Sequence, residues 1–368
     1  IQVPYSGNVP QKTVIWLLNC CIIYIMYCEK MLLSCLNSFL AALMARRNRR
    51  LKQILIGLLA AVTFYLLAYV YFNGTQYRAA AQPRWGDPGP YHVAYPRNYT
   101  FILDDPPTCK NRTPFVVLMV PVPPSGKAAR EAIRKTWGNE KRVLGQLVKT
   151  VFMLGLPAGA DAALQQEELR QEHQENRDLI QSDFLDSYHN LTIKTMMMLE
   201  WQAAHCVDAS YVMKVDSDVF LHVQNLVRLL LDPSTARRNY MTGLVWWHSS
   251  VSRNPFNRFY MPRSVVPELE YPPYPLGMSY VMSLDLPGKI LGVSPQIKPL
   301  FIEDVYLGMC LQRLGISPTD PPEETMFLVD PFHPLSGCSL SKVIAVTTNS
   351  IGQMVTYWQR CRQPDAKC

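Results

Sequence analysis

The chain has 368 residues, with 36 Lys+Arg against 29 Asp+Glu for a formal net charge of +7, and 48% of it is hydrophobic. That apolar share excludes a disordered chain, which cannot bury enough surface to offset its entropy, and the length allows one large or two ordinary domains. The charge is unevenly placed: before Ile54 there are seven basic residues against Glu29 alone, a balance of +6, which leaves 29 basic and 28 acidic residues, or +1, for the rest. A nearly neutral body excludes a nucleic-acid-binding domain, whose positive field belongs on the fold itself.

In chain order, the first distinctive segment is Val14–Ala45, apolar apart from Glu29 and Lys30. It is a candidate second membrane segment, but Met44-Ala-Arg-Arg resembles a natural start, so residues 1–43 are expected to belong to an extended gene model. Ile54–Phe72 then runs for nineteen residues without a formal charge. At 1.5 Å per residue such a helix crosses a hydrocarbon core of about 30 Å. Tyr65, Tyr69, Tyr71 and Phe72 crowd its far end, as aromatic rings do at a headgroup boundary, and the Arg46–Lys52 cluster before it keeps residues 1–53 cytosolic. Everything after Asn73 is therefore expected to be exported. Four Asn-x-Ser/Thr sequons, at Asn73, Asn98, Asn111 and Asn190, all lie on that side, as do six of the ten cysteines. An oxidising compartment suits disulfides, but six cysteines permit fifteen full pairings.

Residues 73–113, rich in Pro, Gly, Tyr and Arg, read as a stem. From residue 114 to 368 the texture is that of a folded domain. Phe115–Val120 is a continuous apolar run that suits a buried parallel strand. Ala128–Trp137 follows as a helix, Thr150–Leu154 as a strand, and Asp161–Ile180 as a solvated helix. Ile193–His205 reads as a buried helix whose Met196–Met198 run belongs to the core. Tyr211–Val215 is a strand, Leu221–Leu231 a helix, and the segment from Val245 onward reads as loops shaping a site. Strands alternating with helices define an α/β domain with a mostly parallel sheet.

Three clusters are candidates for chemistry. The strand Tyr211–Val215 ends in Asp216-Ser-Asp218, where open α/β sheets bind ligands. Carboxylates there suit a hard cation shared with phosphate oxygens, and the structural alternative is a turn or a helix cap. Glu303-Asp304 precedes a helical pattern, which suits either simple capping or a general base held in a cleft. Arg130 and Arg134 share one helix face, available to phosphate, to an acidic partner or to solvent. Metal-type Cys/His spacing and phosphate-cradling glycine loops are absent from the sequence. Of seven scattered histidines only His248 and His333 sit among aromatic or Pro-rich loops.

Taken together, Arg130…Arg134-Lys-Thr-Trp-Gly, Asp178-Leu-Ile…Asp183-Phe-Leu-Asp186…Asn190-Leu-Thr-Ile-Lys194, Lys214-Val-Asp216-Ser-Asp218, Thr242-Gly, Tyr271-Pro-Pro-Tyr-Pro and Glu303-Asp304-Val-Tyr-Leu-Gly resemble the β-1,3-glycosyltransferases of family 31, most closely its β-1,3-galactosyltransferases. The resemblance runs from about Pro114 to Trp358. It implies a GT-A type α/β fold behind a single transmembrane signal anchor, in the Golgi membrane with the catalytic domain lumenal. It implies inverting transfer of galactose from UDP-galactose to the 3-hydroxyl of a GlcNAc-type acceptor on a glycoprotein or glycolipid, usually with Mn²⁺. Carried over by motif, Asp304 is the base. Arg130, Arg134, Lys214, Asp216, Asp218 and Glu303 lie about the donor, with Asp218 and then Asp216 as metal ligands. A β-1,3-N-acetylglucosaminyltransferase and a catalytically impaired lumenal glycan-binding homologue are the alternatives. Two departures motivate the second. Pro275, Met278 and Ser279 replace a cysteine and small residues of the family pattern, and Asn349 stands where a metal-binding histidine is expected. Export carries its own test: endoglycosidase should increase the gel mobility of the full chain, and Asn73→Gln should reduce that shift, whereas a chain without any shift would contradict the topology.

Overall fold

The computed structural model divides the chain into two units, Ile1–Pro83 and Arg84–Cys368. It describes Gly57, Ala61, Phe64 and Tyr65 of the first, all helical, and residues 91, 93–104, 109, 113–331 and 333–363 of the second. The rest of the 54–72 span, and the sequons at Asn73 and Asn111, lie outside the described residues. Among the described residues no helix is long and apolar enough to cross a membrane.

The strands are β1 (Phe101–Leu103), β2 (Val116–Pro121), β3 (Arg142–Val143), β4 (Gln146–Leu156), β5 (Leu179–Leu185), β6 (Tyr211–Val215), β7 (Val219–Leu221), β8 (Met241–Trp246), β9 (Ser249–Ser250), β10 (Glu270–Tyr271), β11 (Tyr274–Ser283), β12 (Phe327–Leu328) and β13 (Ala345–Thr347). The α-helices of the second unit are α1 (Lys127–Lys135), α2 (Ala162–Asn176), α3 (Leu191–His205), α4 (Val223–Leu231), α5 (Asp285–Val293), α6 (Glu303–Leu314), α7 (Gly337–Leu340) and α8 (Ile351–Arg360). The main sheet has the order β1-β5-β4-β2-β6-β11-β8. Its four central strands, β5, β4, β2 and β6, are parallel. β1 and β11 pair antiparallel at either side, and β8 follows β11, also antiparallel. The sheet is thus mixed and mostly parallel.

The pleat sorts the core. Successive strand side chains point to opposite faces, so Val117 and Met119 of β2 join a cluster with α3, α5 and α6, while Val116, Leu118 and Val120 join one with α1, α4 and α8. β2 is buried on both faces from Val116 to Val120, which explains its uninterrupted apolar run. In α3, Met196, Met197 and Met198 are at most 1% exposed and belong to the first cluster.

Three expectations are corrected. The helix expected over Asp161–Ile180 stops at Asn176, because Arg177 takes a left-handed conformation (φ 54°) that ends it. The chain then enters β5, a strand that the polar Gln181, Ser182 and Asp183 conceal. The segment after Val245 is not mainly loops, since it holds β11, the ten-residue strand against which α6 packs. The stem does not reach residue 113: Val93 and Tyr95 are buried in the core, β1 pairs with β5, and Cys109 is disulfide-bonded to Cys206 at the end of α3. Cys338 is also disulfide-bonded, and Cys310 and Cys361 are free thiols.

The contact that positions the site is α6 on β11. A Cβ at Gly308 would lie 2.8 Å from Tyr274 Cβ and 2.9 Å from the Pro273 carbonyl oxygen, so only glycine lets the helix approach this closely. Gly308→Ala should cost about 1–3 kcal/mol through this backbone clash. Urea unfolding of the full chain followed by tryptophan fluorescence will measure it, and an unchanged midpoint would show that the helix can shift at no cost.

Candidate active site: carboxylates bridged by one lysine

Asp216 follows the last residue of β6, and its backbone N–H donates to the Met278 carbonyl of β11. Glu303 and Asp304 open α6, which β11 holds against the same edge. They are 6% and 9% exposed, too buried to be solvated helix caps. Two buried acids side by side at the start of a helix need compensation, and Lys214 of β6 supplies it. Its ammonium lies 2.6 Å from Asp216 Oδ1 and 3.1 Å from Glu303 Oε1, and it donates to the Gly277 carbonyl. Burial alone would push this lysine down, but the charges of Asp216 and Glu303 hold it above the ordinary range.

The other lone pairs are satisfied by groups that sequence motifs do not reveal. Glu303 Oε2 accepts from Thr195 Oγ1 (3.2 Å) and Tyr280 Oη (3.1 Å). Asp304 Oδ2 accepts from the Gly277 N–H (2.7 Å), and Oδ1 from the Val305 N–H (2.9 Å). Glycine at 277 gives both acids their room: a Cβ there would sit 2.9 Å from Glu303 Oε1 and 3.1 Å from Asp304 Oδ2 and would displace these carboxylates. Burial raises the Asp304 carboxyl despite these donors. It likewise raises Glu303, helped by Asp304 and opposed by Lys214. Asp216 is pushed up to about 6, by burial first and by the charges of Asp218 and Glu303, against the pull of Lys214.

Asp218 differs from its neighbours. It is exposed, and its carbonyl accepts from the backbone N–H (2.8 Å) and hydroxyl (2.7 Å) of Thr348. That pair of bonds continues the β7–β13 ladder, and Asn349, also exposed, follows Thr348 in the chain. Among the described residues no three His, Cys, Asp or Glu side chains converge on one point. Asp218 and Asn349 each carry oxygens of the kind a hard cation accepts, and they do not make a closed protein cage. His248 is solvent-exposed 3.5 Å from Glu270, and His333 is exposed on a loop.

Arg130 and Arg134 have partners other than those expected of them. Arg130 is 1% exposed, holds Glu172 through two bonds of 2.8 and 2.6 Å, and donates to the Pro123 and Pro124 carbonyls. Arg134 bridges Glu172 and Asp178. Their charges are matched within the protein, and Arg130 pins the loop that leaves β2. Lys194 works alongside: its ammonium bonds Asp186 (2.7 Å) and the Val122 carbonyl (3.0 Å) of the same loop. Of the described sequons, Asn98 is exposed, whereas the Asn190 amide donates to the Leu185 carbonyl and orders the entry to α3.

A lysine that bridges a carboxylate at the end of the parallel strand β6 to a buried carboxylate at the start of α6 puts the acids where open α/β sheets bind ligands. A model of the galactosyltransferase family matches residues 128–322. Beta-1,3-galactosyltransferase 2 of Homo sapiens is 38% identical over 285 residues, covering 76% of this chain and 64% of that protein. Beta-1,3-galactosyltransferase 1 of Mus musculus is 42% identical over 224 residues, covering 61% and 68%. The chain belongs to the galactosyltransferase family, and it spans about 64% of the length of the first of these relatives. A solved glycosyltransferase involved in glycosylation of the major capsid of PBCV-1 aligns over 67% of this chain and 100% of its own, at 8% identity and a TM-score of 0.37. A likeness that loose carries no weight, and the sheet order defines the fold.

Lys214→Ala tests the bridge. With Lys214 and Glu303 side chains 9% and 7% exposed, removing the cation leaves an uncompensated buried charge, at a cost on the order of 3 kcal/mol. Glu303 and Asp304 titrate higher folded than unfolded, so the folded chain takes up protons first. The penalty is full above their folded range and fades as pH falls through it. The variant's melting-temperature deficit should therefore be larger at pH 8 than at pH 5.5, and equal deficits would refute the bridge.

Proposed function

We propose that this protein is an inverting β-1,3-galactosyltransferase of GT-A type, moving galactose from UDP-galactose to the 3-hydroxyl of a GlcNAc-type sugar on a glycoprotein or glycolipid. The observation that carries the proposal is Asp304: a buried carboxylate, raised above the ordinary aspartate range and fixed by two backbone N–H groups. A raised carboxylate is a stronger base, and fixed geometry keeps it aimed. The named relatives support the choice of sugar and linkage.

In this mechanism Asp304 takes the proton of the acceptor hydroxyl as that oxygen bonds to C1 of galactose. The bond from C1 to the diphosphate oxygen breaks on the opposite face, its electron pair leaves with UDP, and the α-linkage becomes β. Lys214 holds Glu303 and Asp216 in place, so that Glu303 can orient sugar hydroxyls and Asp216 can meet the nucleotide. Arg130, Arg134 and Lys194 act by holding the β2 loop against the donor side. Asp218, helped by Asn349, would hold Mn²⁺ jointly with the diphosphate; the ion would neutralise charge on the leaving group. We place the protein in the Golgi membrane, anchored through residues 54–72 with its catalytic domain lumenal.

Full-length chain given UDP-galactose, Mn²⁺ and a β-GlcNAc acceptor should form a β-1,3 product. Asp304→Asn should lower kcat by about 10²–10⁴-fold with its melting temperature kept. Because the base must be ionised, kcat/KM should fall on the acid side at a pH above the ordinary aspartate value of about 3.9. Turnover surviving in Asp304→Asn would remove Asp304 from this role, and product formed only from UDP-GlcNAc would reassign the donor.

A further inference from the structure

The face of β11 beside Asp304 carries an aromatic surface that the proposed chemistry does not use. β8 ends at Trp246, which lies directly across from Tyr274, and the two rings are 6.2 Å apart. Tyr274 is buried, its hydroxyl is 2.9 Å from Ser249 Oγ, and its Cβ packs on Gly308, one turn of α6 beyond Asp304. A chain of direct contacts thus runs from the base through α6 and Tyr274 to Trp246.

Trp246 is 44% exposed and its neighbour Trp247 39%. Neither is a loose surface residue. Trp246 is in strand register, and the Trp247 indole N–H donates to Asp320 Oδ1 at 2.8 Å. Two adjacent indoles held in place yet left open to water forgo much of the burial that normally stabilises large rings. The ring of Tyr271, on β10, lies 6.5 Å from that of Tyr274, and its hydroxyl is buried with no hydrogen-bond partner among the described residues. Its titration is pushed up to about 12 by burial, and Asp304 is among the charges acting on it. A fixed ring open to water, linked through Tyr274 and α6 to the base, matches one surface of a pyranose. One face of such a sugar carries C–H groups and its rim carries hydroxyls.

We propose that Trp246 is the acceptor platform of this protein, stacking on the C–H face of the acceptor sugar, with Trp247 extending the surface to the next residue of the glycan. Trp246 is a positioning and specificity-determining residue on the acceptor side. The inference rests on the galactosyl-transfer proposal only for the identity of the sugar.

The test is binding of full-length chain to a glycan array in the presence of UDP, which fills the donor side but carries no sugar to transfer. Wild type should bind a restricted set of glycans, Trp246→Phe should retain that set, and Trp246→Ala should lose at least tenfold in apparent affinity with an unchanged melting temperature. Trp246→Ala binding like wild type would overturn the platform, and so would wild type that binds no glycan. Glycans bound through Trp246 but ending in something other than a GlcNAc-type sugar would uphold the platform and overturn the proposed acceptor.

Discussion

One ammonium group governs the site. Asp216, Glu303 and Asp304 come from two elements far apart in sequence, and bringing three carboxylates together at the end of a sheet is electrostatically unfavourable. Lys214, one residue before the end of β6, lies within 2.6 and 3.1 Å of two of them and also bonds the backbone of β11. Without it the start of α6 would have to move outward or the acids would have to protonate. With it, the carboxylates stay charged enough to act and close enough to cooperate.

The rest of the fold serves that juxtaposition. β11 runs antiparallel to β6, so its early residues lie beside the end of β6, where Lys214 and Asp216 sit. Two glycines set the spacing: Gly308 lets α6 lie on the strand, and Gly277 leaves room for both acids while binding one of them through its N–H. Arginines perform a parallel task on the other side of β2, where Glu172 joins Arg130 and Arg134 behind the Pro123–Pro124 loop. Each half of the cleft is thus held by its own buried ion pairs.

The parts of this arrangement legible in the sequence are those with a local signature. β2 and β6 show as apolar runs, α3 as a long apolar helix, and Asp216 and Asp218 as acids at a strand end. β5 is hidden because its polar Gln181 is paired inside the fold with Gly155 and Gln166, partners no local pattern reveals. The roles of Gly277, Thr195 and Tyr280 were equally invisible, since each depends on contacts 23–108 residues away. Arg130 and Arg134 show a different limit: the sequence offers phosphate, an acidic partner or solvent for their shared helix face and does not choose, because Glu172 lies on a helix that looks wholly solvated.

The Cys109–Cys206 bond has a mechanical consequence. Tension applied through the N-terminal segment meets Val93 and Tyr95, buried in the core, and then β1, a three-residue edge strand on β5. The next point along the chain is covalently tied to the end of α3, so peeling stops before β2 is loaded. Force is then passed into a helix with ten buried side chains. Thr195 of the same helix donates to Glu303, so the tie that shields β2 also links the start of α6 to the load.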